Sequence, residues 1–202
     1  PVSAKYFEMI LAVCTMANNL GMKVSIEPLI GDAMITAHVG DAVNNDRLAF
    51  LQALGAFIHA HEVHNLIAYE FFGEPTLAAV KLGDDKTRQE LCELVTSWNE
   101  TMKAADPDHL TCVGGGYHQD VFKAGWDPML FPVDFVSIHA YPALDLYEDP
   151  ATYKQSMTER YLNEFRFYDR YLIKTFLLDE TGFAGEDPFN PPGYTTPNPY
   201  LH

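Results

Sequence analysis

The chain has 202 residues, 48% of them hydrophobic and 20% charged, and its formal net charge is −15. This size and apolar content are those of one domain with a full core, and no apolar run approaches the roughly 20 residues of a membrane span. The sparse and scattered Lys and Arg residues argue against a nucleic-acid partner, because phosphate binding needs clustered cations.

The first elements follow from apolar periodicity. Apolar residues recur at helical spacing over residues 4–20, which predicts a helix, and Gly21 suits the left-handed residue that ends it. A strand is predicted over residues 22–26. Asp46 is a candidate N-cap for a second helix with one apolar stripe, and the apolar run over 65–72 predicts a second strand.

The second half of the chain continues the same alternation. Asp84 or Asp85 begins a third predicted helix, which has to end before Pro107 because the residue before a proline avoids the helical conformation. The remaining predicted elements are a strand over 110–113, a strand over 134–139, a helix over 150–171 and a strand over 175–179.

Short apolar strands separated by amphipathic helices predict parallel βαβ units. A doubly wound open sheet would fit the same five strands, but no Gly-rich turn follows the first strand to hold a nucleotide phosphate. Gly114, Gly115 and Gly116 follow a middle strand, and no Lys-Ser or Lys-Thr pair completes a phosphate loop there. The pattern therefore favours a barrel.

Three predicted strands end in residues that can carry chemistry. Glu74 follows the second strand and Glu180 the fifth, while His139 and Tyr141 end the fourth. In a parallel barrel the strand ends meet at one mouth, where the active site lies. Two carboxyl groups there suit glycosidic bond cleavage, because one must donate a proton while the other must be ionised. The simpler interpretation is that these residues form ion pairs at the strand ends. That interpretation would have to apply to all three strand ends.

These segments resemble the clan of retaining glycoside hydrolases that includes the cellulases and β-mannanases, which have (β/α)8 barrels. In that clan the acid/base lies in a pattern like Trp-Glu-Leu-x-Asn-Glu-Pro at the end of the fourth strand. Residues 69–75 are similar, which implies that Glu74 is the acid/base. The clan's nucleophile closes the seventh strand in a Glu-x-Gly setting, which Glu180 and Gly182 match.

The sixth strand of the clan often ends in His-x-Tyr, as His139 and Tyr141 do. The resemblance covers about residues 4–183 and implies a (β/α)8 TIM barrel of which about strands 3–7 are present. Residues 1–202 would then be a single partial TIM-barrel glycosidase domain, with 183–202 as a loop or tail. The resemblance implies a cofactor-free hydrolase that degrades β-linked polysaccharides by double displacement, and it favours a secreted or extracytoplasmic location.

Two features depart from the clan. Gly73 stands where the clan has the Asn that contacts the sugar 2-hydroxyl, a contact that tightens in the transition state. The clan's first two strands and its eighth have no counterpart here, so two sheet edges would be bare, and we expect additional polypeptide to complete the barrel. The alternative to a glycosidase is a carbohydrate-binding or structural barrel that kept both carboxylates but lost turnover.

Aromatic residues near the predicted mouth are further candidates for substrate binding. Trp126, Tyr117 and His118 could face a sugar, because flat rings suit the apolar side of a pyranose, and each has packing as its alternative role. Glu70, four residues before Glu74, shares its strand face. We predict that Glu70 is a buried structural carboxyl group in the barrel interior.

His59, His61 and His64 suggest a metal site, but they end a helix on the side away from the predicted mouth. Cations facing the helix dipole are the favoured interpretation, and no metal is predicted. The three cysteines form no Cys-x-x-Cys pair, and they are predicted to be buried thiols. No signal peptide is recognisable before the first helix, which fits a mature or truncated start as well as a cytoplasmic one.

Overall fold

The structure is a computed structural model. It describes residues 4–28, 36–73, 86–114, 126–140 and 174–181 and, between 159 and 170, residues 159, 162–163, 165–166 and 169–170. Those last residues are helical, in agreement with the helix predicted over 150–171.

The described strands form one parallel sheet in chain order, which curls into a half-barrel with helices outside it. The strands are β1 (Val24–Ile26), β2 (Leu66–Glu70), β3 (Leu110–Gly114), β4 (Phe135–Ala140) and β5 (Phe176–Thr181). All five predicted strands and the partial (β/α)8 fold are confirmed. In the described part of the chain, β1 and β5 are the sheet edges.

Three helices have described boundaries: α1 (Ala4–Asn19), α2 (Ala42–Ala60) and α3 (Arg88–Ala105). Gly21 ends α1 with a φ of 71°, as predicted. The predicted N-caps of the other two helices are wrong. Asp41 caps α2 by accepting a hydrogen bond from Asn44 N at 2.6 Å, and Asp46 lies inside the helix. Thr87 caps α3, two or three residues after the predicted aspartates.

The core lies between the sheet and helices α2 and α3. Its largest fully buried side chains are Trp98, Trp126, Tyr69, Phe71, Phe131, Leu51, Leu54 and Ile58. Trp98 Nε1 donates a hydrogen bond to Asn44 Oδ1 at 2.8 Å, so the buried indole N–H is satisfied. Of the described helices, none is long and apolar enough to cross a bilayer.

The three cysteines form no disulfide bond with one another, and they differ in burial. Cys14 and Cys112 are buried as predicted, and burial raises the pKa of the Cys14 thiol. The prediction is wrong for Cys92, which is partly exposed at the surface of α3, with its Sγ 3.4 Å from Leu130 O.

The two faces of the sheet carry different side chains because strand residues alternate in direction. Val136 and Ile138 on β4 pack against Phe165 of the outer helical layer. Ser137, between them, contacts Glu70 of β2 instead. Glu70 is buried, with 7% exposed, so it is the interior carboxyl group that the sequence predicted.

Candidate active site

The segment that leads to Glu74 has an unusual backbone. β2 ends at Glu70, and Phe71, Phe72 and Gly73 follow it. Phe72 has a φ of 82°, a left-handed conformation that bulky residues rarely adopt, although its side chain is buried. Such a residue costs about 1–3 kcal/mol and persists only where its surroundings hold it. Glu74 itself lies outside the described residues.

Three hydrogen bonds hold this left-handed turn. Phe71 N donates to Cys112 O of β3 at 2.7 Å, and Gly114 N of β3 donates to Phe72 O at 2.9 Å. From the other side, Gly73 N donates to Glu27 Oε1 at 2.7 Å. Glu27 is the first residue after β1, so both neighbouring strands bind the turn.

Gly114 is required for the close approach of β3 to the turn. A Cβ atom at Gly114 would overlap the backbone carbonyl of Gly73 and would lie 2.7 Å from Phe72 O. These neighbours are backbone atoms, which cannot rotate away as a side chain can. Trp126 Nε1 donates a hydrogen bond to Gly114 O at 2.7 Å, so the indole also binds this residue.

Glu70 is the last residue of β2, just before the turn, and it has a hydrogen-bond partner on β4. Ser137 Oγ donates a hydrogen bond to Glu70 Oε1, and both residues are buried. A buried carboxyl group needs such partners, because desolvation without them is costly. The pair links β2 to β4 across the inner face of β3.

The ends of β4 and β5 are paired with an irregular register. Ile138 pairs with Leu178, but the next pair is His139 with Glu180, so Asp179 is an extra residue in β5. Such bulges are common next to active sites, because one added residue changes which residue stands at a given register position. The predicted nucleophile and the first residue of the His-x-Tyr pair are therefore backbone neighbours.

The other predicted site residues divide into two groups. Tyr117, His118 and Tyr141 lie outside the described residues. Trp126 is described and is completely buried, and its ring packs against Phe131 with the centroids 4.6 Å apart. This is the arrangement of a packing residue, the alternative to a sugar-facing ring.

The three histidines lie at the opposite end of the sheet. His61 Nδ1 is 2.7 Å from Phe57 O in the last turn of α2, as expected for a residue that interacts with helix-terminal carbonyls. His59 Nδ1 lies 3.0 Å from Asp108 Oδ2 and 3.9 Å from Asp106 Oδ1. The ligand atoms of His59, Asp106 and Asp108 lie within 4.8 Å of one another. Among the described residues, these three form the one group that could hold a metal ion.

Protein donors already occupy Asp106, which is fully buried. Tyr69 Oη donates to Asp106 Oδ2 at 2.6 Å, and His109 Nδ1 lies 2.7 Å from the same oxygen. Asp108 N donates to Asp106 Oδ1 at 3.3 Å. Burial raises the pKa of Tyr69 far above its usual range, and the hydrogen bond to Asp106 adds to that effect.

A second polar network joins α3 to the start of β4. Lys103 Nζ lies 2.6 Å from Asp134 Oδ2, and Thr111 N donates to the same oxygen at 2.8 Å. Burial alone would raise the pKa of Asp134. The hydrogen bonds and charge of Lys103, with the bonds from Thr111, outweigh burial and lower that pKa.

Sequence reasoning missed two residues near the mouth, Glu27 and Ser137. Glu27 could have been found by the rule that singled out Glu74 and Glu180, since it is a carboxylate directly after a strand. Ser137 could have been found from the alternation of β4, because it stands between two apolar residues that face the helices.

No family model matches the chain, and no curated protein matches it in sequence. Solved structures do match in fold. An exo-β-1,4-mannosidase, Op5Man5 from Opitutaceae bacterium strain TAV5, superposes with a TM-score of 0.74 at 13% identity. The match covers 93% of this chain and 37% of the mannosidase.

Two further enzymes have a similar fold. Endo-glycoceramidase II from Rhodococcus sp. matches with a TM-score of 0.65 at 14% identity, over 93% of this chain and 55% of the enzyme. Cel5A from Thermotoga maritima, solved with a mannotriose substrate, matches with a TM-score of 0.63 at 14% identity, over 91% and 62%. The chain thus spans between 37% and 62% of these enzymes, and it has the fold of the cellulase- and mannanase-like glycoside hydrolases.

Proposed function

We propose that this chain carries the catalytic centre of a retaining glycoside hydrolase that cleaves β-linked glycans, with Glu74 as acid/base and Glu180 as nucleophile. The main support is the register at the end of β4 and β5, where a bulge brings Glu180 into line with His139. The shared fold of known glycosidases is the second support, because their active sites lie at the carboxyl ends of the strands.

The strand order fits two carboxyl groups that act on one bond. Glu74 follows β2 and Glu180 is on β5, and two strands, β3 and β4, separate them in the curled sheet. All these strands are parallel, so their carboxyl ends lie on the same rim. Retaining enzymes need the two carboxyl groups about 5–5.5 Å apart, and we expect this separation between Glu74 and Glu180.

The proposed reaction has two displacements. In the first, the Glu180 carboxylate attacks the anomeric carbon, the bond to the leaving oxygen breaks, and Glu74 gives its proton to that oxygen. In the second, Glu74 takes a proton from a water molecule, the water oxygen attacks the anomeric carbon, and the Glu180 carboxylate is released. Each bond formed at the anomeric carbon is matched by one broken, and Glu74 ends protonated as it began.

Other residues have supporting roles in this proposal. His139 and Tyr141 orient the nucleophile, and Tyr117 and His118 bind sugar rings. Trp126 is a weaker candidate for sugar contact, because its buried ring already packs against Phe131. The reaction needs no cofactor or metal ion, because one carboxyl group protonates the leaving oxygen and the other carboxylate bonds to the anomeric carbon as positive charge develops there.

A carbohydrate-binding barrel without turnover is the second candidate function. The observation in its favour is Gly73, which has no side chain to contact the sugar 2-hydroxyl where the clan has Asn. The two candidates differ in one measurable property, the hydrolysis of aryl β-glycosides and soluble polysaccharides.

Two variants of the full-length protein test the assigned roles. Glu180→Gln should abolish turnover of every substrate, because the nucleophile forms the glycosyl-enzyme whatever group departs. Glu74→Gln should still show a burst with a dinitrophenyl glycoside, whose leaving group needs no proton, and lose about 10²–10⁴-fold on natural substrates. Equal losses on both substrates would show that the roles are wrongly assigned. A wild-type protein that hydrolyses no glycoside would favour the binding barrel.

Additional polypeptide next to β1 is part of the same proposal. A groove of about 240 Å³ runs between α1 and β1, lined by residues such as Met9, Val13, Val24 and Ile26. Met9 and Val13 are about half exposed there, and Met16 is 59% exposed on the same helix. We expect a further parallel strand and its helix to cover this groove, because bare parallel edges are rare.

Hydrogen exchange of the full-length protein tests this covering unit. Amide groups on the open side of β1 should be protected from exchange, at a level similar to those that β1 shares with β2. Rapid exchange on that side of β1 would mean that no strand is added there.

A further inference from the structure

The contact between Glu27 and Gly73 joins residues 46 positions apart, at the ends of two neighbouring strands. The acceptor is a carboxylate oxygen and the donor is a backbone N–H at 2.7 Å, so this is a charge-assisted hydrogen bond of ordinary length. It binds the residue that immediately precedes Glu74 in the sequence.

The backbone at Gly73 needs contacts that stabilise its conformation. Phe72, next to Gly73, is left-handed at a φ of 82°, and the two bonds from β3 reach only Phe71 N and Phe72 O. The carbonyl group of Gly73 lies where a Cβ atom of Gly114 would be, so the turn has little room to shift toward β3. The Glu27 carboxylate restrains Gly73 from the β1 side, so the turn is held between the two strands.

We propose that Glu27 is a positioning residue for the acid/base: its carboxylate, with the β3 contacts at Gly114, fixes the left-handed turn after β2 and thereby the direction from which Glu74 approaches the leaving oxygen. The inference rests on the proposed function, because positioning matters only if Glu74 transfers a proton. Glu27 itself does not touch the substrate in this role.

The expected effect depends on the leaving group. A misplacement of about 1 Å at a reacting group can lower the rate about 10²-fold, and general acid assistance is worth about 10²–10⁴-fold. Loss of the Glu27 contact should therefore lower kcat about 10- to 100-fold on glycosides with basic leaving groups. The effect on the first displacement of a dinitrophenyl glycoside should be small, because that leaving group needs no proton.

Three substitutions at Glu27 separate the effect of side-chain length from the effect of charge. Glu27→Gln keeps a carbonyl oxygen at the same reach but removes the charge. Glu27→Asp keeps the charge but shortens the side chain by one methylene, and Glu27→Ala removes both. Ser25→Ala is the matched control, because Ser25 lies two residues earlier and its Oγ bonds across to Ala68 O of β2 at 3.3 Å.

The experiment measures two quantities in full-length protein: the exchange rate of the Gly73 amide, and kcat/KM for alkyl and dinitrophenyl glycosides, which reports on the first displacement for both substrates. The proposal predicts faster Gly73 exchange and a selective loss on alkyl glycosides for Glu27→Ala and Glu27→Asp. Glu27→Gln should rescue both properties, and Ser25→Ala should change neither. The exchange rate reports on the contact even if a variant has low activity.

Several outcomes would overturn the proposal. If the wild type is active and Glu27→Ala keeps the same ratio of kcat/KM between the two substrates, the positioning role of Glu27 is rejected while the proposed function stands. A rise in KM with unchanged kcat would assign Glu27 to substrate binding instead. A wild type inactive on all glycosides would reject the proposed function and the positioning role with it, and slow Gly73 exchange in Glu27→Ala would reject the contact itself.

Discussion

The two ends of the sheet differ in how they hold their polar groups. At the amino end of β3, Asp106 is fully buried and accepts bonds from Tyr69 and His109. The left-handed residue at this end, Glu62 with a φ of 49°, lies in an exposed turn before β2. At the carboxyl end of β2, Phe72 is left-handed and a carboxylate from another strand holds Gly73. One end buries polar side chains in hydrogen-bonded networks, and the other buries a left-handed residue that contacts from the neighbouring strands hold in place.

The difference agrees with the proposed function, which places the chemistry at the carboxyl ends of the strands. In parallel barrels, residues at the amino ends of the strands usually stabilise the fold, and those at the carboxyl ends carry chemistry. Strain concentrates at functional sites, because a productive geometry is seldom the most relaxed one. Substitutions at the amino end should therefore change stability alone, and substitutions at the carboxyl end should change activity as well.

The largest effect is expected from Gly114→Ala at the carboxyl end. The added methyl group meets backbone atoms of Phe72 and Gly73, so strand or turn has to move. We expect a loss of about 3 kcal/mol in the free energy of unfolding, the upper end of the usual cost of overpacking. Denaturant unfolding measures this loss, and kcat should fall about 10²-fold because the turn before Glu74 is displaced.

Gly21→Ala is the control for that variant. Gly21 differs from Gly114 in being left-handed, with a φ of 71°, and a Cβ atom there would meet nothing within 4 Å. We expect a cost of about 1 kcal/mol from the backbone conformation alone, with kcat unchanged. If both variants lowered kcat equally, the turn before Glu74 would have no special role.

Tyr69→Phe tests the amino end. It removes the donor at 2.6 Å from the buried Asp106 carboxylate and changes no other atom. A buried acceptor that loses a hydrogen-bond donor lowers the free energy of unfolding by about 1–3 kcal/mol, which denaturant unfolding should detect. The rates for both glycoside classes should stay at the wild-type level, and a changed ratio between them would contradict the separation of the two ends.

The pH dependence of stability offers a second measurement on the same variant. Burial raises the pKa of Tyr69, so the folded chain keeps this proton while the unfolded chain loses it above about pH 10. The contribution of Tyr69 is therefore fully present below pH 10 and is lost as pH rises above it. The wild type should lose more stability than Tyr69→Phe between about pH 9 and 11, and parallel curves would contradict the account.

Lys103→Met should have the smallest effect. It keeps the aliphatic stem but removes the charge 2.6 Å from Asp134, in a pair that is about one-third exposed. Such pairs contribute about 0.2–1 kcal/mol. The pKa of Asp134 is lowered, so this contribution is present above about pH 3.9 and is lost as pH falls through the folded value. The variant also loses the bond from Lys103 Nζ to His109 O at 2.9 Å, which does not depend on the charge of Asp134, so unfolding should show a larger difference between variant and wild type at about pH 7 than at about pH 2.

Local patterns predicted the elements well because their causes are local. The periodicity of α1 and the stop before Pro107 depend on neighbouring residues, and both agree with the structure. The N-cap of α2 was predicted at Asp46 because that residue also precedes an apolar stripe. Only the position of Asn44 N, within 2.6 Å of Asp41 Oδ1, distinguishes the true cap.

The details of the site depend on contacts between distant segments. The bulge that aligns Glu180 with His139 is a property of the register between β4 and β5, which no local pattern contains. Ser137, a partner of Glu70, is 67 residues away on β4, and the Glu27 contact crosses from β1 to the end of β2. The motif predicted which residues are candidates, and the pairing of strands determines how they are held.

Covalent trapping tests the central claim, that Glu180 is the nucleophile of a retaining glycosidase. The fluorine of a 2-deoxy-2-fluoro-β-glycoside slows both displacements, and a dinitrophenolate leaving group restores the rate of the first one only, so the glycosyl-enzyme accumulates. Peptide mass spectrometry of the treated full-length protein should find one fluoroglycosyl group on Glu180, and none in Glu180→Gln. Hydrolysis of glycosides without any adduct, or an adduct on another residue, would contradict the account.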